Sequence, residues 1–514
     1  MPIEERVEDL LGYMTLEEKI GQMALVEKKS LWNARDVANY GLGAVLSGSG
    51  GNPKDNTPTG WKQLVTQFTD EALKTRLAIP LLYGADANHG NGNLPGATLF
   101  PHAIGLGAAN DSALTERIAR ATAEESRAMG VRWNFSPVLE LPRDIRWGRV
   151  YEAFSDDVDR VGTLGASYVR GLQDAPERED VIDVLATPKH YIGLGSLVWG
   201  TARNTNYRID QGAIPADEEL LRDASLPPYQ AAIDAGAMSI MAGIGTWGDE
   251  HIVANRYLLT DVLKNELEFE GFVVSDWYGV YNIARSKYES TVAGINAGVD
   301  MVMLPFDYKP FVSDMQRAVG SGDISEQRVD DAVRRILRAK FAMGLFDDDA
   351  SIESGFDEIG SSKHRALARE AVQRSLVLLK NEGRVLPLDR NARKIRVAGN
   401  AADNVGRQAG GWTVEWQGID GNWLPGATSI LAGIRDAAGK GTTIEYDREG
   451  NFSTKDLAEV GIAIVGEKPY SEGVGDNAYP RLDDEDIAAI ENLRRTSDKV
   501  VVILVTGRPL IITD

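Results

Sequence analysis

Asp276 stands at the end of a short apolar run, Phe272–Ser275, and Trp277 follows it directly. In a parallel α/β barrel, the carboxyl ends of the strands form the mouth at which chemistry takes place. A carboxylate there can attack or stabilise an oxocarbenium-like carbon, and an indole offers an apolar face to a pyranose ring. The alternative for this stretch alone is a helix-capping Asp beside a packing Trp. The pattern predicts a candidate nucleophile for cleaving sugars.

Four more polar side chains follow predicted barrel strands. Asp86 comes after one apolar run, Arg149 lies in a Trp-Gly-Arg-Val-Tyr-Glu stretch, and Lys189 and His190 end another run. A carboxylate accepts hydrogen bonds from vicinal sugar hydroxyls, whereas Lys, Arg and His donate them. Each residue taken singly could equally form an ordinary salt bridge or cap. Because strand ends of a barrel point at one place, the set together favours a pyranose-binding mouth.

The second half of the chain adds two acids and two indoles. Glu467 and Glu472 both follow an apolar run on a predicted loop, and Trp412 and Trp416 lie beside glycines. Either Glu could protonate a leaving oxygen while Asp276 attacks, which would give the paired carboxylates of a retaining glycosidase. The alternative is a pair of solvated loop acids. The indoles favour a stacking platform, with core packing the alternative for one of them.

The elements that must position these groups follow from apolar runs alternating with helical stretches. Thr15 to Glu18 has the pattern of a capping box and predicts an early helix. The predicted strands are Gly43–Ser47, Leu81–Ala85, Trp133–Pro137, Val184–Pro188, Ser239–Ala242, Phe272–Ser275 and Met301–Leu304. This strand-then-helix alternation predicts a parallel sheet, and the number of runs suits a closed (β/α)8 TIM-like barrel.

A second α/β unit is predicted after the barrel. A periodic helix with Val329, Val333 and Leu337 on one face ends near Gly344, and the acidic stretch 346–362 has the composition of a linker. A helix over about 363–380 and strands near Ile395–Ala398, Gly461–Val465 and Val500–Thr506 follow. We therefore predict a barrel over 1–345, a linker over 346–362 and an α/β sandwich over 363–514. The chain stops just after a strand, so we expect the sandwich to be truncated at its C-terminus.

Composition narrows the classes of partner. The 514 residues include 55 Lys and Arg against 76 Asp and Glu, a formal net charge of −21, and no Cys. Because so acidic a chain repels phosphate backbones and anionic membranes, we predict no nucleic-acid or membrane partner. No signal peptide or apolar span is visible, which predicts a cytoplasmic protein, or a secreted one if a leader was removed. The five His lack metal-site spacing and the Gly-rich stretches complete no nucleotide motif, so no cofactor or metal is predicted.

Taken together, these motifs resemble glycoside hydrolase family 3, in particular its β-glucosidases and exo-acting β-glucan glucohydrolases. The ordered motifs are TLEEKIGQM, DANHG, ATLFPHAIGLGAAND, GRVYEAFSDD, ATPKHYIG, GFVVSDW, AGVDMVMLP, LLKNEGRVLPL, GGWTVEWQG and VGEKPYSEGVGD. The resemblance implies a (β/α)8 barrel followed by an (α/β)6 sandwich. It implies Asp276 as nucleophile and Glu472 as acid/base, with Glu467 the less favoured choice.

The resemblance also implies a subsite for the non-reducing-end glucose, formed by Asp86, Arg149, Lys189 and His190. Trp277 and one of Trp412 or Trp416 would flank the next sugar.

Some positions depart from the family pattern. Asn282 stands where an Arg is frequent, Ile244 where a substrate-contacting Tyr is expected, and the segment after His190 differs from broad β-glucan enzymes. The sequence therefore leaves open the preferred linkage and aglycone, and whether the first subsite takes glucose or xylose. It also leaves the oligomeric state open. No Asp-x-His follows His190, which disfavours the N-acetylglucosaminidase branch.

The sequence thus predicts a retaining exo-acting β-glucosidase that forms a covalent glucosyl-Asp276 intermediate. Two alternatives keep the same fold: a phosphorylase or transglycosylase, and a sugar-binding protein without turnover.

Overall fold

The computed structural model describes residues 1–175, 178, 181–347 and 355–513, in two compact units. Unit 1 comprises Met1–Asp144 and Glu152–Ser375, and unit 2 comprises Ile145–Tyr151 and Leu376–Asp514. The helix expected to open the second domain therefore lies in unit 1. A seven-residue segment inside the first domain's sequence, 145–151, instead lies in unit 2.

Unit 1 alternates strands and helices along most of its length. Its strands are β1 Ala24–Glu27, β2 Ala44–Ser47, β3 Leu82–Ala85, β4 Trp133–Asn134, β5 Leu185–Ala186, β6 Lys189–Tyr191, β7 Ala213–Ile214, β8 Ser239–Ala242, β9 Thr246–Trp247, β10 Glu250–His251, β11 Phe272–Ser275 and β12 Val302–Leu304. Its helices are α1 Ile3–Tyr13, α2 Leu16–Gln22, α3 Asp36–Tyr40, α4 Pro58–Ala72, α5 Ala103–Ala109, α6 Ser112–Ala128, α7 Val158–Gln173, α8 Glu218–Leu220, α9 Leu226–Asp234, α10 Lys287–Ala297, α11 Tyr308–Ser321, α12 Glu326–Ala342 and α13 Ser362–Ser375. Unit 1 also has two π-helical stretches, Leu221–Ser225 and Tyr257–Glu266, and several short 3-10 helices.

Parallel pairing runs around unit 1 in a closed ring. One sheet has the order β12-β1-β2-β3-β4-β5 and a second the order β11-β8-β6. β5 and β6 belong to one stretch of chain, and a parallel bridge between Val274 and Met301 joins β11 to the start of β12. The small sheet β10-β9-β7 lies outside this ring order. Because all ring strands are parallel, their carboxyl ends share one rim.

The helices of unit 1 begin where the sequence supplies caps. Thr15 and Glu18 form the predicted capping box at α2, and Thr57 caps α4, whose first residue is a proline. Asp157 and Ser325 cap α7 and α12 in the same way. Each cap satisfies backbone N–H groups that have no partner inside the helix, typically stabilising it by about 1 kcal/mol.

Large aromatic side chains pack between the parallel strands of unit 1. Trp133 makes edge-to-face contacts with Phe135 at 4.9 Å and with Phe272 at 5.5 Å between ring centroids. A Cβ on Gly84 would come within 2.5 Å of the Phe135 ring, so this strand position has no room for a side chain. The indole N–H of Trp133 donates to Thr187 Oγ1 at 2.6 Å, which satisfies it away from water.

Unit 2 is a parallel sheet with helices on both faces. Its strands are β13 Lys394–Ala398, β14 Thr443–Tyr446, β15 Val460–Gly466 and β16 Val500–Val505, in the order β14-β13-β15-β16. Its helices are α14 Val405–Ala409, α15 Ile430–Ala437 and α16 Asp484–Thr496. One apolar cluster includes Leu431 of α15 with Ile462, and another includes Leu493 of α16 with Val465.

The predicted α/β architecture with two parallel-sheet units is confirmed, and each of the seven apolar runs contains a strand. The predictions omitted β1, which follows α2 without a turn signal, and β14, which is short and partly exposed. They also omitted the two- and three-residue strands β6, β7, β9 and β10. The helix expected over 363–380 ends at Ser375, because the Leu-Val-Leu-Leu run after it has no helical period. Of the expected linker 346–362, residues 348–354 lie outside the described residues.

Candidate active site

Asp86 and Lys189 form an ion pair just after the ends of β3 and β5. Asp86 follows β3 directly, Lys189 opens β6, and Lys189 Nζ lies 2.8 Å from Asp86 Oδ1. The two side chains are only 14% and 3% exposed. Buried charges persist when they are paired, and both groups retain the chemistry needed to bind a hydroxyl. The structure thus joins two of the predicted sugar ligands.

His190 lies between two carboxylates. Its Nε2 is 3.9 Å from Asp276 Oδ2, and its Nδ1 is 3.9 Å from Glu140 Oε1. Glu140 is buried and accepts the backbone N–H groups of His190 at 3.1 Å and Gly195 at 3.0 Å. Since Lys189 and His190 are neighbours in β6, these contacts unite four predicted residues, Asp86, Lys189, His190 and Asp276, in one polar cluster.

Asp276 is oriented by its own turn. Its Oδ1 accepts the backbone N–H of Trp277 at 2.6 Å, while Oδ2 faces His190. Tyr278 has a positive φ of 58°, an unfavourable conformation for an aromatic residue, in the turn that follows β11. A carboxylate held in one orientation by its own turn can present an oxygen lone pair to an electrophilic carbon.

Burial also affects the acid at the end of β1. Glu27 is the last residue of that strand, and burial raises the pKa of its carboxyl group although the backbone N–H of Lys29 donates to it. Glu27 was not among the predicted site residues. Nothing in its apolar sequence context distinguishes it from an ordinary cap, and here it caps the turn Lys28–Ser30.

Arg149 and Glu472 form a separate candidate pair within unit 2. Arg149 Nη1 lies 3.5 Å from Glu472 Oε1, and these side chains are 5% and 18% exposed. A Cβ on Gly148 would lie 1.9 Å from the Glu472 carbonyl oxygen, so the close approach of the two segments requires glycine. Glu472 itself has a positive φ of 54°. Arg149 was predicted at a barrel strand end, but the structure groups it with Glu472 in unit 2, because residues 145–151 pack there.

Glu467 has a different environment from Glu472. Its Oε2 accepts hydrogen bonds from Tyr470 Oη at 2.9 Å and Thr506 Oγ1 at 2.8 Å, and its Oε1 lies 3.1 Å from Arg508 Nε. Burial raises the pKa of Tyr470, so the phenol stays protonated and donates. A carboxylate this fully engaged stabilises its loop.

The two indoles of unit 2 differ in exposure. Trp412 is buried, with a positive φ of 65°, and the Arg149 guanidinium lies 5.9 Å from its ring centroid. Trp416 is half-buried, and its carbonyl oxygen accepts the Ser471 hydroxyl. Core packing, the alternative kept open for one of the two indoles, fits Trp412, whose ring lies beside Arg149. Gln417 and Ser471 exchange two further hydrogen bonds, which fix the Trp segment to the loop of Glu472.

Sequence reasoning missed two residues that fix the backbone near the predicted site residues, one in each unit. Glu140 fixes the backbone of His190, and Arg508 donates to the carbonyl oxygens of Ile145, Arg146, Trp147 and Gly475. Neither lies in a recognisable spacing pattern. For Glu140, the one available signal was an acid between apolar residues just after a strand.

No helix in the described part of the chain is both long and apolar enough to cross a lipid bilayer.

The chain is similar to several glycosidases in sequence or in structure. The chain is 30% identical to the lysosomal beta glucosidase of Dictyostelium discoideum, over 98% of this chain and 66% of the relative. It thus spans about two thirds of that relative's length. The exo-1,3/1,4-beta-glucanase of a Pseudoalteromonas species superposes with a TM-score of 0.91 at 38% identity, covering 99% of this chain and 65% of that one. The beta-glucosidase of Listeria innocua, solved with glucose, gives 0.84 at 27% identity, covering 100% of this chain and 71% of that one.

Two family domains account for most of the chain. Residues 15–339 match the glycosyl hydrolase family 3 N terminal domain, and residues 376–514 match the glycosyl hydrolase family 3 C-terminal domain. The chain belongs to glycosyl hydrolase family 3, as its ordered motifs predicted.

Proposed function

We propose that this protein hydrolyses β-glucosides from the non-reducing end with retention of anomeric configuration. The observation that carries the proposal is the polar cluster of Asp86, Lys189, His190 and Asp276 at the barrel's strand ends. Family membership and the names of the similar enzymes support the class of substrate. Neutral sugars also suit a chain of formal charge −21, which would repel anionic ligands.

Asp276 is the proposed nucleophile. Its Oδ2 attacks the anomeric carbon as the glycosidic C–O bond breaks, and Glu472 gives its proton to the departing oxygen. Water then attacks the same carbon, Glu472 takes a proton from that water, and the ester bond to Asp276 breaks. Two displacements on one carbon return the product to the β configuration.

The remaining polar groups bind the sugar in this proposal. Asp86 accepts hydrogen bonds from two hydroxyls, whereas Lys189, His190 and Arg149 donate to others. The pair of Arg149 with Glu472 keeps that carboxylate oriented between turnovers. Trp277, together with Trp412 or Trp416, supplies aromatic surface for the next sugar.

Turnover of p-nitrophenyl β-glucoside by wild type and Asp276→Asn tests the proposal. We expect the variant to lose at least about a thousandfold in kcat, because a carboxamide forms no glycosyl ester. The control is Asp314→Asn, which removes an ion pair with Arg317 on α11 and should leave turnover unchanged. Normal turnover by Asp276→Asn would refute the assignment.

Two further readouts define the mechanism. An activated 2-deoxy-2-fluoro-β-glucoside should leave its sugar on the peptide that contains Asp276, detectable by mass spectrometry. Added phosphate should leave the rate and the products unchanged. Formation of glucose 1-phosphate would instead establish a phosphorylase, and label on another residue would displace Asp276.

A further inference from the structure

An exposed aromatic pair lies next to the proposed nucleophile. Trp277 is 38% exposed and Phe306 is 67% exposed, with ring centroids 6.4 Å apart and planes at 90°. Trp277 follows β11 and Phe306 follows β12, strands that the Val274–Met301 bridge joins. The two rings therefore form one apolar surface at the strand-end rim, continuous with Asp276. Leaving a Phe ring in water forgoes about 1.5–3 kcal/mol of burial.

The backbone on both sides of Phe306 is anchored, so the outward ring is a property of the fold. The Pro305 carbonyl oxygen accepts a hydrogen bond from the Ser30 hydroxyl. The Asp307 carboxylate accepts from Tyr278 Oη at 3.0 Å and pairs with Lys287 Nζ at 2.8 Å. The Tyr278 ring centroid, 6.1 Å from that of Phe306, supports the ring from one side.

We propose that Phe306 is a second aromatic platform, which binds a sugar farther from the cleaved bond than the one at Trp277. The protein then acts preferentially on β-linked gluco-oligosaccharides of three or more units. This inference rests on the proposed function, since it deepens the specificity of the same site. A pyranose presents axial C–H groups to an aromatic face, and such a contact needs a ring that is both exposed and rigid.

Phe306 lies where it can affect the binding of longer substrates without affecting the cleavage step. A glucoside with a short leaving group ends at or before Trp277, whereas a third sugar extends past it along the surface shared with Phe306. Truncating Phe306 therefore removes binding energy from long substrates alone. A substitution of Trp277 would not distinguish substrate binding from cleavage. Trp277 is the chain neighbour of Asp276, and its backbone N–H orients the Asp276 carboxylate.

The test compares kcat/KM for p-nitrophenyl β-glucoside, disaccharides and trisaccharides of the cello and laminari series. We expect wild type to favour the trisaccharides, and Phe306→Ala to lose about tenfold on trisaccharides while changing less than about twofold on the aryl glucoside. Phe306→Tyr keeps an aromatic face and should retain wild-type preference. Tyr13→Ala removes an aromatic side chain of similar exposure, 64%, from α1 and is the matched control.

If Phe306→Ala lost kcat/KM equally on every substrate, or lost none on trisaccharides, the platform proposal would be refuted. If wild type hydrolyses none of these compounds, the proposed function fails. Calorimetric titration with the trisaccharides then tests separately whether Phe306 binds a sugar. Trisaccharide binding that weakens about tenfold in Phe306→Ala would then support the platform. Binding that is absent, or unchanged in the variant, would refute it.

Discussion

Glu467 and Glu472 lie on one loop, yet their surroundings give them different tasks. The carboxylate of Glu467 is engaged by two hydroxyls and the guanidinium of Arg508, all within unit 2. The side chain of Glu472 has a 3.5 Å contact with Arg149 and a backbone in the left-handed region. Strained backbone at a non-glycine position persists where surrounding contacts determine it, commonly at functional sites. These different surroundings therefore favour Glu472 over Glu467 as the acid.

Glu472→Gln and Glu467→Gln form a matched pair that tests this distinction. We expect Glu472→Gln to lose less stability than Glu467→Gln, because its contact with Arg149 is longer, at 3.5 Å. The same variant should lose far more activity on a disaccharide than on a dinitrophenyl glucoside, because a good leaving group needs little protonation. Glu467→Gln should destabilise unit 2 by about 3 kcal/mol, because it leaves the buried Arg508 charge without its partner. Urea unfolding and kinetics on both substrates measure the two effects.

Equal activity losses of Glu472→Gln on both substrates would contradict the acid assignment. A Glu467→Gln protein with wild-type stability and the same selective activity loss would transfer the role to Glu467.

At this scale, strand-end position was the useful signal. Asp86, Lys189, His190 and Asp276 each follow or end an apolar run, and the structure brings them into one cluster. Glu140 was not predictable, because its role is to accept two backbone N–H groups, one of them five residues beyond His190. Such a role depends on chain path, which side-chain type does not reveal.

At the scale of elements, helix α13 is attached to α6 through one buried imidazole. His364 Nδ1 lies 2.8 Å from Glu125 Oε1, and its Nε2 lies 2.9 Å from Glu124 Oε2. Burial lowers the pKa of His364, but hydrogen bonds to Glu124 and Glu125 outweigh it and raise it to about 9. Other charged groups nearby are Glu358, Lys363 and Arg120. This imidazolium between two carboxylates, together with the ion pairs Arg117–Glu370 and Arg374–Asp111, attaches the helix to unit 1.

The attachment of α13 should weaken in alkali. A pKa raised above the unfolded value of about 6.5 stabilises the fold fully below that pH, and this contribution disappears as pH rises through about 9. We expect wild type to exceed His364→Gln by about 2 kcal/mol in unfolding free energy at pH 6.5, and by much less at pH 10. Urea unfolding of both proteins across this range measures the difference, in which other titrating groups cancel. A difference independent of pH would contradict a charged His364.

Strands and helix starts were predicted correctly where the local sequence pattern agreed with the element's place in the fold. The barrel strands are short apolar runs between turn signals, and the caps of α2 and α12 are visible as Thr15 and Ser325. It failed for β1, whose apolar residues continue from α2 without a break, and for the end of α13. The packing of α13 on unit 1 could not be predicted, because its contacts, such as those of His364, join residues about 240 positions apart.

For the whole molecule, the chain path divides the proposed sugar ligands between two units. Residues 145–151 leave unit 1, contribute Arg149 to unit 2, and return. Arg508 holds this segment by donating to the carbonyl oxygens of Ile145, Arg146 and Trp147, and Asn477 donates its backbone N–H to Arg146. The folding of unit 2 therefore determines where Arg149 lies.

Arg508→Met should expose this segment to trypsin. Arg508 is 1% exposed on its side chain, and its loss leaves Glu467 without a counter-charge, costing unit 2 about 3 kcal/mol. A loss of that size raises the open population roughly a hundredfold, so cleavage after Arg146 and Arg149 should accelerate correspondingly. Mass spectrometry of timed digests of the full chain measures the rate. The control, Arg393→Met, removes a guanidinium from a side chain that is 90% exposed and should digest like wild type. If Arg508→Met resists cleavage at both sites, the segment is held independently of unit 2, and the position of Arg149 does not depend on the folding of that unit.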